Sequence, residues 1–380
     1  MPTPTAVSSN AASTSSNRAK SPRLYFLDAL RGFAALYVVI HHISRIPKPQ
    51  LETSGLIHWL VSNGGSGVLL FFVISGFSMC LTWSHHSTSP TPFRSFYTSR
   101  FIRIAPLFYI WLIVSLLRDF LFKGQTGIHS VFEISSNIFF IFNFIDKFKF
   151  GIVWASWTIG VEMLFYFLYP LLEKYLSTKF FIMGSLFIAV VTSVVFLQAN
   201  YVILFNFGIM STLFTSIGFF VCFPVFLIGV MVYRLYEKLQ SETFNRWRIT
   251  IGRVSVCCSL CGITLIPDST NLIWYYLLST LYGLLLFGFS LVGENIFVTP
   301  ITKSIGMVSY SLYLTHPSLV YILAPIYTLI YKFIPVTGLN FLMCVTLTLI
   351  FLLPISYLSY NYIEKPTMLW GKVYLSRFQK

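Results

Sequence analysis

Charged side chains are scarce in this sequence. They make up 10% of its 380 residues, whereas an ordinary water-soluble domain contains about 25%. Apolar residues account for 56% and aromatic residues for 18% of the chain. Such a composition excludes an ordinary soluble domain and predicts an all-α integral membrane protein, because helices satisfy their own backbone hydrogen bonds in lipid.

Cysteine is also sparse, and the six cysteines show no spacing typical of a metal site. All lie within or at the ends of apolar runs, so we expect small core residues without disulfides.

The N-terminal segment lacks the apolar core of a signal peptide. Because residues 1–23 are rich in Ser, Thr, Ala, Asn and Pro, we expect a disordered cytoplasmic tail.

Long apolar runs predict a bundle of about ten transmembrane helices, since each is long enough to cross about 30 Å of hydrocarbon. The predicted spans are 27–46, 64–83, 101–117, 154–172, 180–198, 216–233, 250–267, 272–292, 305–330 and 339–360. We therefore expect one transmembrane domain over residues 24–366 and a basic cytoplasmic tail over residues 367–380.

The distribution of Lys and Arg predicts the orientation of this bundle. Ten spans place both termini on one side, and 18 of the 26 basic residues fall on that side. Seven fall on the other side, and Arg31 lies inside the first span. Cytoplasmic loops are the richer in positive charge, so both termini are expected in the cytoplasm. The net charge of +14 is then explained by the basic cytoplasmic loops and by their attraction to anionic membrane lipids. No nucleic-acid partner is therefore expected.

The longest outward segment, residues 118–153, contains a short apolar stretch, Ile138 to Ile145. This stretch is too brief to cross the membrane and predicts a re-entrant or interfacial helix. It is a candidate for contact with an acceptor outside the cell.

The first span carries Arg31 and His42 eleven residues apart. Eleven residues are close to three helical turns, so both side chains share a face, about 16 Å apart along the axis. Ionisable residues inside a membrane usually face a bundle interior and do chemistry. The alternatives are that Arg31 reaches the headgroups or pairs with Asp28, and that His42 only ends the helix.

Six fragments together carry a family resemblance. They are LDALRGFAALYVVIHH at 27–42, FFVISGF at 71–77, RFIRIAPLFY at 100–109, WASWTIGVEMLFYFLYP at 154–170, SYSLYLTHP at 309–317 and IEKP at 363–366. Because it contains these six fragments in this order, the chain resembles the membrane-bound acyltransferase 3 family. In that family a basic residue, ten intervening residues and a histidine mark the first helix, which here selects Arg31 and His42 in preference to His41.

The resemblance implies roles for these two residues. Imidazole has an ordinary pKa near 6.5, so His42 is suited to deprotonate a hydroxyl that attacks an acyl group, or to accept the acyl group as a nucleophile. Arg31 is expected to orient a phosphate or pantetheine carbonyl, or to offset an oxyanion. A structural pair with Asp28 is an equally good interpretation of Arg31.

Further residues are candidates on weaker grounds. Arg100 and Arg103 lie on one helix face and would bind the phosphates of coenzyme A, or anchor the helix at the membrane surface. Glu162 lies deep in a span and would orient His42 or pair with a cation. A carboxylate at this depth therefore suggests function.

Four residues, Asp28, Ser75, Tyr313 and His316, are expected to support the reacting groups without reacting themselves, with a catalytic role as the alternative for His316. Small residues let membrane helices approach closely, so a packing role is favoured for Ser75. Tyr313, three residues before His316, is the expected hydrogen-bond partner of that buried histidine. The motif Glu364-Lys365-Pro366 is expected to end the last helix, with its charges near Arg100 and Arg103.

The resemblance implies transfer of an acyl group, most simply acetyl, to a hydroxyl of a cell-surface polysaccharide or glycolipid. The protein itself is expected to be a multi-pass protein of the inner membrane. Acyl-CoA is the expected donor substrate, with no permanently bound cofactor and no metal. The alternative is a transporter or lipid-linked-sugar flippase that uses the intramembrane charges as a relay. Paired interrupted helices typical of transporters are not evident in the sequence.

Overall fold

The computed structural model describes residues 23–176, 183, 186, 218–241, 245–267, 272–336 and 338–377. These residues form helices and connecting loops without a β-strand, which confirms the predicted all-α class. The α-helices are α1 (Tyr25–Arg45), α2 (Gly55–Asn63), α3 (Gly67–His86), α4 (Pro92–Lys123), α5 (Val131–Ile138), α6 (Trp157–Leu176), α7 (Phe219–Ser241), α8 (Asn245–Leu265), α9 (Leu272–Val292), α10 (Pro300–Met307), α11 (Ser309–Phe333), α12 (Leu339–Ser359) and α13 (Lys365–Ser376).

Eight helical segments in the described part of the chain are long and apolar enough to cross a membrane. They correspond to eight of the ten predicted spans and contain α1, α3, α4, α7, α8, α9, α11 and α12. The predicted span 154–172 forms α6 but is not among the eight. The predicted span 180–198 lies outside the described residues apart from Met183 and Leu186. The total of ten spans and the cytoplasmic location of both termini remain predictions.

The last helix does not end where the sequence suggested. After α12 a π-helical turn, Tyr360–Glu364, leads directly into α13, so the expected stop at Pro366 is wrong. Pro366 is the second residue of α13 and follows the π-helical turn, so the proline lies where the helical hydrogen-bond pattern changes. The expected C-terminal tail is accordingly helical as far as Ser376.

Two other local expectations were wrong. The stretch from Ile138 to Ile145 is not a helix, because α5 ends at Ile138 and the chain continues in turns and a short 3-10 segment. All six cysteines are free, but only three are buried. Cys257, Cys258 and Cys261 are exposed on α8, so the apolar composition of that helix reflects an outward face as well as the core.

Helix α1 lies at the centre of the bundle and contacts α3, α10 and α11. More than half of its residues are buried, including Asp28 in its first turn. Glycine permits the close approach of α10, since a Cβ on Gly306 would fall on the backbone of Asp28. The central position of α1 brings both Arg31 and His42 against other helices.

Helices α3 and α7 cross at a pair of glycines. A Cβ on Gly76 would collide with the carbonyl oxygen of Phe226, and a Cβ on Gly229 would collide with that of Val73. Backbone atoms cannot move aside as a flexible side chain can. This crossing fixes the position of α3, which supplies several polar residues to the site.

Substitution Gly76→Val should therefore destabilise the bundle by about 1–3 kcal/mol or more, as overpacking does in other tightly packed cores. The measurement is the thermal unfolding temperature of the full chain in detergent. Cys257→Val, on the exposed face of α8, is the control and should leave that temperature unchanged. Equal unfolding temperatures for the two variants would contradict the tight crossing.

Candidate active site

A cavity rich in positive charge opens at the end of the bundle where α1 begins. Five basic and two acidic residues line it: Arg23, Arg31, Arg100, Arg103, Lys372, Asp28 and Glu364. The hypothesis that Glu364 lies near Arg100 and Arg103 agrees with this lining. An excess of Arg and Lys around one cavity favours an anionic ligand.

A second cavity adjoins the first and continues into the bundle. The two share Arg31, Ser78, Arg100 and Arg103. Among the described residues, the inner cavity adds one carboxylate, that of Glu162. It also adds hydroxyl groups and aromatic rings contributed by Ser75, Thr158, Ser309, Tyr166, Tyr310, Tyr313, Phe71 and Phe72. A polar channel therefore leads from the open end of the bundle toward its interior.

Arg31 is held from two sides. Its Nη2 donates to Ser78 Oγ at 2.6 Å, and its Nη1 lies 3.6 Å from Asp28 Oδ1. Asp28 also accepts from Arg23 Nε at 2.7 Å. The Asp28 pair suggested by the sequence is thus present, and it leaves Arg31 facing both cavities.

Arg100 and Arg103 have capacity for a ligand. Arg100 is buried, stacks over Tyr166 at 5.4 Å, and its Nε has no hydrogen-bond partner among the described residues. Its Nη2 reaches the carbonyl oxygen of Ser78 at 3.5 Å, at the limit of a hydrogen bond. Arg103 forms no ion pair within the part of the chain that the structure describes. A buried guanidinium nitrogen without a partner is costly, which fits binding of an oxyanion there.

Glu162 belongs to this cavity and is not bonded to His42. Its Oε1 accepts from Ser75 Oγ at 2.6 Å and from the hydroxyl of Tyr166. Ser75 therefore has a polar partner, contrary to the packing role favoured from the sequence, whereas the adjacent Gly76 serves packing. Glu162 adds a negative group to the inner cavity, which Arg31, Arg100 and Arg103 also line.

His42 pairs with another histidine. Its Nδ1 lies 2.8 Å from Nε2 of His316, and the two rings stack with centroids 4.9 Å apart. The hydroxyl of Tyr313, expected to bond His316, instead accepts from Thr158 Oγ1 at 3.0 Å and donates to the carbonyl of Ala155 at 3.2 Å. Tyr313 contacts His316 through its ring, with centroids 5.5 Å apart.

The candidate residues thus form two groups. One lines the cavities, and the other is the pair of imidazoles. Tyr313 links them, because its ring contacts His316 and also lines the inner cavity. The arrangement places fixed cations at one end of α1 and a proton-accepting group toward the other.

Sequence reasoning missed Ser78, Tyr166 and Thr158 as site residues. Ser78 lies three residues after Ser75, and Tyr166 lies four residues after Glu162, so helical spacing alone places each on a face already under consideration. That spacing was the available signal.

No cluster of three or more potential metal ligands occurs among the described residues.

Comparison with known proteins agrees with this architecture. A family model described as an acyltransferase domain, that of the acyltransferase 3 family, matches residues 24–360. A Staphylococcus aureus (strain MRSA252) protein named "Putative O-acetyltransferase SAR0937" is 27% identical over 93% of this chain and 59% of its own length. "O-acetyltransferase OatA" of strain NCTC 8325 / PS 47 is 28% identical over 42% of this chain and 26% of its own length.

The chain therefore belongs to the acyltransferase 3 family, which confirms the resemblance carried by the six fragments. It spans about 59% of the length of the first relative. No solved structure matches it.

Inorganic pyrophosphate should bind the arginine-lined cavities. We expect it to raise the unfolding temperature of the detergent-solubilised chain by about 2–4 °C at low ionic strength, because binding to the folded state alone stabilises it. High salt should reduce the effect.

Arg103→Gln should abolish this stabilisation, since it removes a cation that forms no ion pair within the described residues. Arg94→Gln is the control, because Arg94 bonds Tyr374 at the surface and lines neither cavity. Stabilisation that persists in Arg103→Gln but is lost in Arg94→Gln would place the anion elsewhere.

Proposed function

We propose that this protein is a membrane O-acyltransferase that moves an acyl group, acetyl in the simplest case, from acyl-CoA to a hydroxyl of a surface polysaccharide or glycolipid. The observation that carries the proposal is the continuity of the site. An arginine-lined cavity leads from the open end of the bundle to Tyr313, which contacts the His42–His316 pair. Membership of the family and the names of the relatives support the reaction class.

The donor would bind through its phosphates in the outer cavity. Coenzyme A carries three phosphate groups, and planar guanidinium groups bind such groups in pairs of hydrogen bonds. Arg100 and Arg103 would supply these bonds, with Lys372 at the cavity mouth. Acyl-CoA is thus a substrate in this scheme, and the protein needs no resident cofactor.

Arg31 fits the donor better than the reacting carbonyl. It lies eleven residues before His42 on the same helix, about 16 Å along the axis, and its guanidinium faces the cavities shared with Arg100 and Arg103. A charge at that separation contributes little to an oxyanion beside His42. Of the roles considered for Arg31, the orientation of a phosphate or of the pantetheine arm is therefore the one we propose.

The pantetheine arm would extend along Phe71 and Tyr313 toward His42. As the acceptor oxygen attacks the thioester carbon, its proton passes to His42 and a C–O bond forms. The C–S bond then breaks, and the thiolate takes the proton from His42. The products are an O-acyl ester and free coenzyme A, and a route through an acyl-imidazole would use the same nitrogen lone pair.

The orientation of the bundle completes the proposal. With about ten spans and both termini in the cytoplasm, the arginine-lined end faces cytoplasmic acyl-CoA and the far end of α1 faces the acceptor. We place the protein in the inner membrane on this basis. A transporter would use the same charges as a relay, but the family match favours the enzyme.

His42→Asn should lower the rate constant of acyl transfer by about 10²–10⁴-fold, because the amide keeps a donor at the Nδ1 position but has no proton-accepting nitrogen. The measurement is thiol release from acetyl-CoA by the full chain in proteoliposomes that contain acceptor glycan. His41→Asn is the control, since its Nδ1 bonds the carbonyl of Val61 at 2.7 Å and an amide can keep that bond. Loss of activity in His41→Asn alone would show that the wrong histidine was assigned.

A cellular test separates the enzyme from a transporter. In a deletion strain complemented at matched membrane levels, wild type should restore the O-acetyl signal of the surface polysaccharide in proton NMR spectra, and His42→Asn should not. If deletion leaves the acetyl signal unchanged and instead impairs export of the polysaccharide, the proposed acyl transfer is contradicted.

A further inference from the structure

The histidine pair lies in an asymmetric environment. His316 is fully buried on α11, whereas His42 is only partly buried on α1. The 2.8 Å contact between His42 Nδ1 and His316 Nε2 is short enough for one N–H···N hydrogen bond. One of these two nitrogens must therefore carry a proton and the other a lone pair.

The backbone of α11 decides which nitrogen carries the proton. His316 Nδ1 lies 3.3 Å from the carbonyl oxygen of Leu312, and a carbonyl oxygen can only accept. Pro317 has no N–H, so the carbonyl of Tyr313 lacks its usual helical donor and is a second backbone acceptor for the His316 ring. His316 Nδ1 must therefore be the protonated nitrogen.

The remaining hydrogens follow from this assignment. A neutral imidazole with a proton on Nδ1 has a lone pair on Nε2, so His316 accepts and His42 Nδ1 donates. The lone pair of neutral His42 is then on its own Nε2. The ring of His42 forms its hydrogen bond through Nδ1, and no hydrogen bond to its Nε2 is formed within the described ranges.

We propose that His316 is a positioning residue, which fixes the tautomer and ring orientation of His42 so that Nε2 is free to accept the acceptor hydroxyl's proton. This inference rests on the proposed function. A carboxylate holds the catalytic histidine in serine hydrolases, but here Glu162 bonds Ser75 and Tyr166 instead. A buried neutral imidazole takes that place.

The same bond also stabilises the reacting state. When His42 accepts a proton at Nε2 it becomes a cation, and its Nδ1–H bond to His316 becomes charge-assisted and stronger. His316 stays neutral in this step, because its Nε2 only accepts the hydrogen bond that His42 Nδ1 donates. The proton stays on His42 until the thiolate leaves.

Two substitutions of His316 test this role. His316→Phe keeps an aromatic ring without an acceptor and should lower kcat by about 10- to 100-fold, by analogy with the loss of a group that orients a metal-bound histidine. KM for acetyl-CoA should not change, since the arginines are untouched. His316→Gln offers an amide oxygen to His42 and should recover a larger part of kcat than His316→Phe.

Tyr327→Phe is the matched control on the same helix. Tyr327 is fully buried and its hydroxyl pairs with Thr348 at 2.6 Å, away from the imidazole pair. Removal of this buried hydroxyl should leave kcat at the wild-type value. Two results would show a packing role for His316 and overturn the inference. One is a loss of kcat in Tyr327→Phe as large as that in His316→Phe. The other is an equal loss of kcat in His316→Gln and His316→Phe.

Nitrogen-15 NMR of histidine-labelled wild type tests the tautomer without a variant of His316. The ring-nitrogen shifts of His42, assigned with His42→Asn, should show a protonated Nδ1 and an unprotonated Nε2 in the neutral state. The opposite tautomer would overturn the inference.

The two proposals fail in different ways. If His316→Phe has the kcat of the wild type while His42→Asn is inactive, the proposed acyl transfer is supported and the proposed role of His316 is contradicted. Absence of acyl transfer by the wild type would contradict the proposed function itself, whatever the tautomer.

Discussion

The site depends on one constraint: α1 carries charged and polar groups through the centre of an apolar bundle, and each of them needs a partner. Asp28 and Ser78 bind Arg31 near the start of the helix, and His316 binds His42 near its end. An unpaired charge in this environment would cost several kcal/mol. The partners fix α1 against α3 and α11, and these helices in turn line the inner cavity.

The separation of these groups along α1 has a chemical consequence. Fixed positive charge beside an imidazole would oppose its protonation, whereas fixed positive charge beside phosphates favours binding. Eleven residues of helix keep Arg31 and His42 about 16 Å apart. The long pantetheine arm of the proposed donor is suited to join two regions at such a distance.

Features encoded by local periodicity were predictable from the sequence. The shared face of Arg31 and His42, the Asp28 pair and the approximate bounds of eight spans all depend on residues close in the chain. The His42–His316 bond joins residues 274 positions apart, and the Ser75–Glu162 bond joins residues 87 apart. No helical repeat specifies such contacts, because they depend on which helices are neighbours.

Local signals also failed where their usual meaning depends on context. Pro366 normally marks a helix end, but a π-helical turn before it allows α12 to lead into α13. Cysteines in an apolar run usually pack in a core, yet three of them face outward on α8, where lipid would replace the protein core. The apolar signal of a membrane span does not say which face meets lipid.

The most direct test of the account is an experimental structure of the full chain with a thioether analogue of acetyl-CoA, which cannot transfer its acyl group. The account predicts phosphates at Arg100 and Arg103, a pantetheine arm that passes Tyr313, and an acyl carbonyl near His42 Nε2. An analogue bound with its phosphates away from these arginines, or with its acyl group at the end of the bundle where α1 begins, would contradict it.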